Sequence, residues 1–339
     1  MSEKRDAVLI LGGSCFMGRH LVKLLRESSI TPICINRGRI YWGEVYDPIV
    51  KVDRFRDRHQ YKEAVRNVIQ SSEYNWLGIV DFCAYKPKDI EESLPDEIFD
   101  LLPVYVFIST DSVYEVFDEI GSLDIVTERA TDELSSISRS RDSYGWKKLK
   151  CEEYLKSVGR KCRKIFLRLP DVLGEFDDTY RLWGLKLWID SGIPMRVSER
   201  NLTQKVSFCY AGDVAKMIVK SLFSSQAKGP YNIACDLDQC EMGKFLSFLA
   251  GEKEGILGDD GPIMSLLPSV DHRRGGLDCS RARLDLEFEP TPLPIVISKC
   301  VEWFKFAQIE YPLEYREAIK NLPKNVSQFY NVYSSDSSS

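Results

Sequence analysis

The first apolar segment of the chain, residues 8–11, is short, continuous and followed by glycines. Apolar residues without polar alternation are typical of a strand buried on both faces of a parallel sheet. Residues 12–18 form a glycine-rich turn, and the apolar side chains between Leu21 and Leu25 can share one face of a helix. In this turn Gly12 allows a sharp reversal and Gly18 a close approach of helix and sheet. The order strand, glycine turn, helix predicts a unit that holds a phosphate group at a helix N-terminus.

Further apolar runs of strand length alternate with helical periodicity as far as residue 169. The predicted strands are residues 32–36, 49–53, 78–85, 105–110 and 164–169. The predicted helices between them are residues 59–70, 89–102 and 144–158. Strands that alternate with helices predict an α/β fold with a doubly wound parallel sheet of the Rossmann type and right-handed crossovers.

Beyond residue 170 the alternation is less regular. Helical patterns cover residues 180–189, 213–223, 242–250 and 294–306, and strand patterns cover 206–210 and 231–234. Asp213 is predicted to be the N-cap of its helix. We predict a Rossmann domain over residues 1–172 and a smaller C-terminal substrate-binding lobe over 173–325, from which residues 203–225 return to the first domain. Residues 326–339, which end in SSDSSS, are predicted to be a disordered tail.

Composition and charge narrow the class of protein. With 44% hydrophobic and 29% charged residues, the chain is typical of a globular protein in water. Its net charge of −5 argues against a nucleic-acid partner. No apolar run approaches the ~20 residues that span a membrane, and the start of the chain lacks a signal-peptide pattern. The ten cysteines are scattered without the spacing of zinc ligands. We therefore expect reduced thiols, no metal site and a cytoplasmic protein.

Two further patterns carry candidate chemistry. Tyr144 and Lys148 are four residues apart, so they lie on one face of a predicted helix. The hydroxyl-rich segment ISTDSVY, residues 108–114, follows the fifth predicted strand, and ligands bind at that end of parallel strands. The Tyr/Lys pair has an ordinary structural alternative, a helix surface with an exposed lysine, and the glycine turn has another, a merely structural βα turn. Their occurrence together with the glycine turn is much more specific.

Taken together, these patterns resemble the extended short-chain dehydrogenase/reductase family, the NAD(P)-dependent sugar-nucleotide epimerases and dehydratases. Tyr144 and Lys148 match the family's Y-x-x-x-K pair, and ISTDSVY matches its strand-end motif. Residues 167–174, 207–215 and 229–234 are similar to later family blocks. The resemblance implies a catalytic triad of Thr110, Tyr144 and Lys148, and a nucleotide-linked sugar or similar hydroxyl or ketone compound as substrate.

The chemistry of this triad can be argued from the side chains. A tyrosine has a pKa of ~10 in water, and a nearby ammonium and a positive nicotinamide both favour its phenolate. Tyr144 would then remove a substrate hydroxyl proton, while Thr110 holds the same oxygen by a hydrogen bond. The resemblance implies that Lys148 also holds the ribose of the nicotinamide.

The resemblance also implies a set of cofactor contacts. They are Gly12, Ser14, Cys15, Phe16, Met17, Gly18, Arg37, Asp53 and Arg54, besides Tyr144 and Lys148. Cys15 replaces the middle glycine of the usual turn. Asn36 and Arg37 stand where an acidic residue would exclude a 2′-phosphate, so NADP is favoured over NAD, although Arg37 could instead be a solvated turn residue. Asp53 either accepts from the adenine amino group or caps the following loop.

Candidate substrate contacts are fewer. The family's dehydratases have Asp and then Glu at the strand end, whereas this chain has Asp111 and Ser112, so epimerisation or ketone reduction is favoured over dehydration. Asp111 could contact substrate or cap the loop. Arg273 resembles the family's contact to nucleotide phosphates, and its alternative is an idle surface arginine. Tyr85, Arg181 and Trp183 could also line the cleft.

A second interpretation is a protein that only binds. The form G-G-x-x-F-x-G of the turn resembles an atypical branch that includes the chloroplast stem-loop-binding proteins. A dinucleotide sensor or an RNA-binding protein on the same fold is therefore the alternative, and the triad favours the enzyme. The resemblance also implies a possible homodimer, formed through the helices predicted at 89–102 and 144–158.

Overall fold

The computed structural model describes residues 4–39, 41–43, 49–137, 143–159, 161–239, 241–251, 253 and 275–335. The strands are β1 (Arg5–Leu11), β2 (Thr31–Asn36), β3 (Ile49–Lys51), β4 (Tyr74–Asp81), β5 (Val104–Thr110), β6 (Ile125–Val126), β7 (Arg163–Leu169), β8 (Asp171–Leu173), β9 (Phe208–Tyr210), β10 (Gly229–Asn232) and β11 (Gly276–Leu277).

The helices follow the same chain order. They are α1 (Met17–Glu27), α2 (Arg58–Ile69), α3 (Lys88–Glu91), α4 (Ile98–Leu101), α5 (Ala130–Glu133), α6 (Ser143–Ser157), α7 (Arg181–Ser191), α8 (Glu199–Leu202), α9 (Ala211–Phe223), α10 (Met242–Ala250), α11 (Ser280–Leu286), α12 (Leu293–Glu310), α13 (Pro312–Lys320) and α14 (Lys324–Ser335). Short 3-10 helices cover Asp111–Val116, Asp118–Ser122 and Leu237–Gln239.

A seven-stranded sheet in the order β10-β7-β5-β4-β1-β2-β3 forms the centre of the molecule. Its neighbouring strands all pair in parallel, and helices cover both faces. The predicted doubly wound parallel sheet is therefore confirmed. Along β1, Val8 and Ile10 belong to the apolar cluster on one face, and Leu9 and Leu11 to the cluster on the other. Burial on both faces explains the unbroken apolar run of this strand.

A third apolar cluster lies among the C-terminal helices. Trp183 of α7 stacks on Phe304 of α12, with ring centroids 5.5 Å apart. Trp42, from the connection between β2 and β3, is also buried in this cluster, and its indole N–H donates to the carbonyl of Phe176 at 3.0 Å. The connection that carries Arg37 is thereby anchored to the C-terminal half of the chain.

Two local predictions are wrong. The helix predicted at 89–102 is instead the two short helices α3 and α4, because Pro95 lacks an N–H and disfavours a helical residue before it. The predicted dimer interface therefore lacks one of its two long helices. Helix α9 begins at Ala211 and not after Asp213, whose carboxylate accepts from the backbone N–H and the hydroxyl of Thr291 at 2.7 and 2.9 Å.

The C-terminal end of the described chain also differs from prediction. Helix α14 covers Lys324–Ser335, within the range for which composition predicts a disordered tail. Val326 is fully buried, and the hydroxyl of Tyr330 donates to the carbonyl of Leu187 in α7. Tertiary contacts thus order a segment whose composition is polar. Among the described helices, none is both long and apolar enough to cross a bilayer.

A buried ion pair joins helix α6 to the sheet. Arg168 of β7 and Glu152 of α6 are both fully buried, with 2.7 Å between Nη2 and Oε2. Ser109 of β5 donates to Oε1 of Glu152 at 2.6 Å, and Arg168 also donates to the hydroxyl of Tyr114 at 3.1 Å. Tyr114 in turn donates to Asn232 of β10 at 2.6 Å. Helix α6 and three neighbouring strands are therefore held by one polar network.

We expect Glu152→Ala to lower the free energy of unfolding by about 3–5 kcal/mol, because it leaves the Arg168 charge buried without a counter-ion. Urea unfolding followed by circular dichroism measures the change. Glu153→Ala is the matched control, since Glu153 is half-exposed and pairs only at the surface with Lys150. Equal losses in both variants would contradict the role assigned to the buried pair.

Candidate functional site

The glycine turn leaves no room for side chains. Gly12 and Gly13 have φ angles of +98° and +77°, which residues with a Cβ rarely adopt. A Cβ on Gly18 would lie 2.2 Å from the Cα of Gly13, so the first turn of α1 can approach the loop only with glycine there. Phe16, with φ +45°, is also strained and immediately precedes α1. The backbone thus shows both roles predicted for these glycines, the sharp turn at Gly12 and the close approach of helix and sheet at Gly18.

A cavity of about 370 Å³ opens beside this turn. Its lining includes Gly12, Ser14, Cys15, Phe16, Met17, Gly18, Arg37, Asp53 and Arg54. All the residues predicted to contact the cofactor, apart from Tyr144 and Lys148, are thus brought together at one place. Burial raises the pKa of the Cys15 thiol, and Asp178 beside it acts in the same direction, so this side chain is a neutral part of the wall.

A second cavity, of about 510 Å³, lies beside the first. It contains Thr110, Asp111, Ser112 and Tyr144 in its lining, together with Asp171, Asp177, Arg181 and others. The two cavities share Phe16, Met17, Tyr85 and Thr179. The glycine turn and the predicted catalytic tyrosine therefore face two connected parts of one cleft at the carboxyl ends of the strands.

Lys148 lies beneath this cleft and does not line it. It is 3% exposed, and its Nζ donates to the carbonyl of Ile108 at 2.8 Å. Nζ is 5.9 Å from the ring centroid of Tyr144 and 5.1 Å from that of Tyr85. Burial lowers the pKa of Lys148 to about 8, against the opposing effect of Asp81. The ammonium is thus held near both tyrosine rings by a carbonyl and by contacts with aromatic faces.

Thr110 and Asp111 form the strand-end wall of the second cavity. The hydroxyl oxygen of Thr110 accepts from the backbone N–H of Ser112 at 3.2 Å and so caps the 3-10 helix that follows. Thr110 is 7% exposed and Asp111 is 2% exposed. Both residues are held in place by local backbone structure at the end of β5.

The turn after β3 bears on the two alternatives given for Asp53. Oδ1 of Asp53 accepts from the backbone N–H of Phe55 at 2.9 Å, so the loop-capping alternative is what the structure shows for this oxygen. Arg54, next to it, is buried and pairs with Asp81 at the end of β4, with 2.8 Å between Nη1 and Oδ1. Arg37 is exposed at the edge of the same cavity.

Several site residues were not found from the sequence. Asp81, the last residue of β4, is one in the sense that it pairs with Arg54 of the first cavity, and a carboxylate that ends an apolar run is a recognisable signal. Asp177 is another: burial raises its pKa to about 6, while the N–H and hydroxyl of Thr179 oppose this by donating to it. Tyr85 and Arg181 line the cleft as suggested, whereas Trp183 is buried in the aromatic cluster. Arg273 lies outside the described residues.

The fold and the cleft together define a dinucleotide-binding protein of the Rossmann type. The profile of the NAD dependent epimerase/dehydratase family matches residues 8–234. The chain therefore belongs to that family, whose members are enzymes that use a nicotinamide dinucleotide. Among curated proteins, no sequence match was found.

Solved structures with the same fold include several epimerases. UDP-glucose 4-epimerase from Thermotoga maritima, solved with UDP-glucose, is 17% identical with a TM-score of 0.67, over 89% of this chain and 99% of the other. UDP-glucuronic acid 4-epimerase from Bacillus cereus, solved with UDP-glucuronic acid and NAD, is 18% identical with a TM-score of 0.62, over 88% and 99%. The Bordetella bronchiseptica enzyme WbmH, solved with NAD+, is 17% identical with a TM-score of 0.63, over 89% and 98%. At these identities the likeness concerns the fold.

The lowered pKa of Lys148 predicts a pH dependence of stability. Between pH 8 and its ordinary pKa, the unfolded chain binds a proton that the folded protein has released, so this lysine makes stability rise with pH in that window. Lys148→Met removes this pH-dependent contribution. The free energy of unfolding of Lys148→Met, relative to that of the unaltered protein, should therefore be higher at about pH 7.5 than at about pH 9.5.

Urea unfolding of the protein without ligand at both pH values measures this effect. Lys147→Met is the matched control, because Lys147 is exposed on the same helix. Parallel pH profiles for Lys148→Met and the unaltered protein would show that Lys148 titrates as an ordinary lysine.

Proposed function

We propose that the protein is an epimerase or reductase that uses NADP or NAD and acts on a nucleotide-linked sugar or a similar hydroxyl or ketone compound. The observation that carries the proposal is the position of Tyr144, which lines the cavity joined to the glycine turn, with the Lys148 ammonium beneath it. A structural role would require neither the open cleft nor this pairing.

The residues around the first cavity fit a dinucleotide. The lining includes Met17 and Gly18 at the start of α1, where a helix N-terminus stabilises a pyrophosphate. Arg37 supports a preference for NADP, because a guanidinium can pair with a 2′-phosphate. When bound, the dinucleotide supplies the group that accepts and returns a hydride.

The residues of the second cavity support proton transfer at a substrate carbon that bears oxygen. Tyr144 accepts the hydroxyl proton, since the charge of Lys148 favours its phenolate, and Thr110 orients the same oxygen by a hydrogen bond. Asp171 and Asp177 provide acceptors for further sugar hydroxyls in the same lining. Ser112 at the position of the dehydratase glutamate supports epimerisation or ketone reduction over loss of water.

Other parts of the proposal rest on the sequence. The substrate-binding lobe is assigned to residues 173–325, with Arg273 as a contact to nucleotide phosphates and Asp111 as a contact to the sugar. The described cysteines are free thiols and most of them are buried, which supports a cytoplasmic location. The possible homodimer stays a prediction.

For the catalytic assignment, we expect Tyr144→Phe to lower turnover by about 10²–10⁴-fold and to leave dinucleotide affinity unchanged, because it removes only the hydroxyl. The measurement is reduction of the bound dinucleotide by a panel of nucleotide sugars, followed by absorbance. Tyr154→Phe, on the same helix and away from the cleft, is the control. Unchanged turnover in Tyr144→Phe would favour the alternative of a protein that only binds.

The same assay tests the assignment of the strand end. Thr110→Val removes one orienting hydrogen bond, so its loss should be smaller than that of Tyr144→Phe. Ser112→Ala should have little effect, since no proton transfer is assigned to Ser112. A loss in Ser112→Ala as large as in Tyr144→Phe would mean that the active hydroxyl is at position 112.

The variant Arg37→Ala tests the preference for NADP over NAD. We expect NADPH to bind more tightly than NADH, and Arg37→Ala to weaken NADPH alone by about ten- to a hundredfold, as expected for one charged hydrogen bond of ~1.5–3 kcal/mol. Isothermal titration with both dinucleotides gives the two affinities. Arg26→Ala, on the last turn of α1, is a surface control of the same charge. Equal affinities in the unaltered protein would remove the role of Arg37.

A further inference from the structure

The ammonium of Lys148 lies in an enclosure of aromatic rings. Nζ is 4.6 Å from the ring centroid of Phe107, 5.1 Å from that of Tyr85 and 5.9 Å from that of Tyr144. All of these distances are within the range of a cation–π contact. Because Lys148 is 3% exposed, the rings and the carbonyl of Ile108 occupy the space where water would otherwise solvate the ammonium.

The rings of the enclosure differ in their position relative to the cleft. Phe107 of β5 is buried in the core on one face of the sheet. Tyr85 and Tyr144 are 50% and 40% exposed and line the second cavity, and their ring centroids are 6.0 Å apart. The two tyrosine rings therefore cover the ammonium on the side of the cleft, and Tyr85 is the nearer of the two to Nζ.

The backbone at Tyr85 is held independently of its ring. The backbone N–H groups of Tyr85 and Lys86 donate to Oδ2 of Asp89 at 3.0 and 3.1 Å. Asp89 is buried, and its Oδ1 pairs with Nη2 of Arg58 at 3.2 Å. A substitution of the half-exposed ring leaves these bonds in place, so variants at this position should keep the fold.

The charged groups around the ammonium do not explain the lowered pKa of Lys148. Asp81 at the end of β4 raises this pKa, and the opposing effect of Arg54 is smaller than the effect of burial. Cys83 and Cys151 keep their protons at neutral pH, because burial raises the pKa of each thiol to about 12. Exclusion of water is therefore the main influence on this lysine, and the question is which side chain excludes the water of the cleft.

We propose that Tyr85 is a positioning residue, whose ring excludes water from the Lys148 ammonium and keeps that charge unscreened beside Tyr144. A charge acts more strongly on its neighbour where water does not screen it. The hydroxyl of Tyr85 has no part in this role. The consequence for proton transfer by Tyr144 rests on the proposed function, whereas the exclusion of water from Lys148 does not.

The test measures the pKa of Lys148 in the protein without ligand, by NMR titration with isotope-labelled lysine. Lys148→Arg identifies the resonance. In Tyr85→Leu water reaches the ammonium, so we expect the pKa of Lys148 to rise by about 1 toward its ordinary value. Tyr85→Phe keeps the ring and should leave the pKa unchanged. Phe55→Leu is the matched control, because it removes a ring of similar exposure from the lining of the first cavity.

The titration can also overturn the proposal. An unchanged pKa of Lys148 in Tyr85→Leu would show that this ring does not exclude water. A further lowered pKa would show that the ring acts chiefly by attracting the ammonium. Equal changes in Tyr85→Phe and Tyr85→Leu would assign the effect to the hydroxyl. Tyr85→Gln, which brings a polar side chain to the same position, is a second variant with the same expected direction as Tyr85→Leu.

The pH profile of turnover is the second readout. When water screens the ammonium, the phenolate of Tyr144 is less favoured, so the acidic limb of the kcat profile should move to higher pH in Tyr85→Leu. It should stay in place in Tyr85→Phe. A profile that is the same in Tyr85→Leu and the unaltered protein would contradict the effect on Tyr144.

These outcomes are separate from failure of the proposed function. If no nucleotide sugar is turned over, the proposed function is overturned, while a raised pKa of Lys148 in Tyr85→Leu still supports the exclusion of water by Tyr85. If turnover is measured and Tyr85→Leu changes neither the pKa of Lys148 nor the pH profile, the role of Tyr85 is overturned and the proposed function is retained.

Discussion

The buried pair of Glu152 and Arg168 is the constraint on which the geometry of the cleft depends. A charge buried without a partner is strongly destabilising, so helix α6 can dock only where its carboxylate meets the guanidinium of β7. Tyr144, Lys148 and Glu152 follow one another at four-residue intervals on this helix. Fixing Glu152 therefore fixes the rotation of the whole face, which carries Lys148 under the cleft and Tyr144 into its wall.

A second buried ion pair fixes the geometry of the first cavity. Arg54 and Asp81 join the β3–α2 turn to the end of β4, next to the glycine turn. The two sides are electrostatically connected, because the Asp81 carboxylate partly offsets the effect of burial on the pKa of Lys148. A change at Asp81 would therefore act on the wall of the first cavity and on the charge of Lys148 together.

The connection between β2 and β3 joins the first cavity to the C-terminal helices. Trp42 is buried among aromatic side chains of the C-terminal helices, while Arg37 at the start of the same connection is exposed beside the first cavity. Arg19 of α1 donates to the carbonyl of Tyr41 at 3.1 Å and holds the connection from the other side. Residues that line the first cavity thus depend on packing in the C-terminal half of the chain.

By itself the sequence determined the features that depend on neighbours along the chain. The order of strands and helices, the glycine turn, and the placing of Tyr144 and Lys148 on one helix face follow from local periodicity and from the conformational freedom of glycine. The gathering of the predicted cofactor residues follows as well, because the carboxyl ends of parallel strands meet at one edge of a sheet.

Only the tertiary structure decided the features that depend on partners remote in sequence. Asp213 binds Thr291 instead of capping its own helix, and the segment around residue 330 is helical because it packs on α7. The pairing of Arg54 with Asp81 and of Glu152 with Arg168 likewise cannot be read from any one segment of the sequence. Burial and pairing depend on which side chains contact one another across the fold. The periodicity of one segment does not indicate which side chains of other segments it will contact.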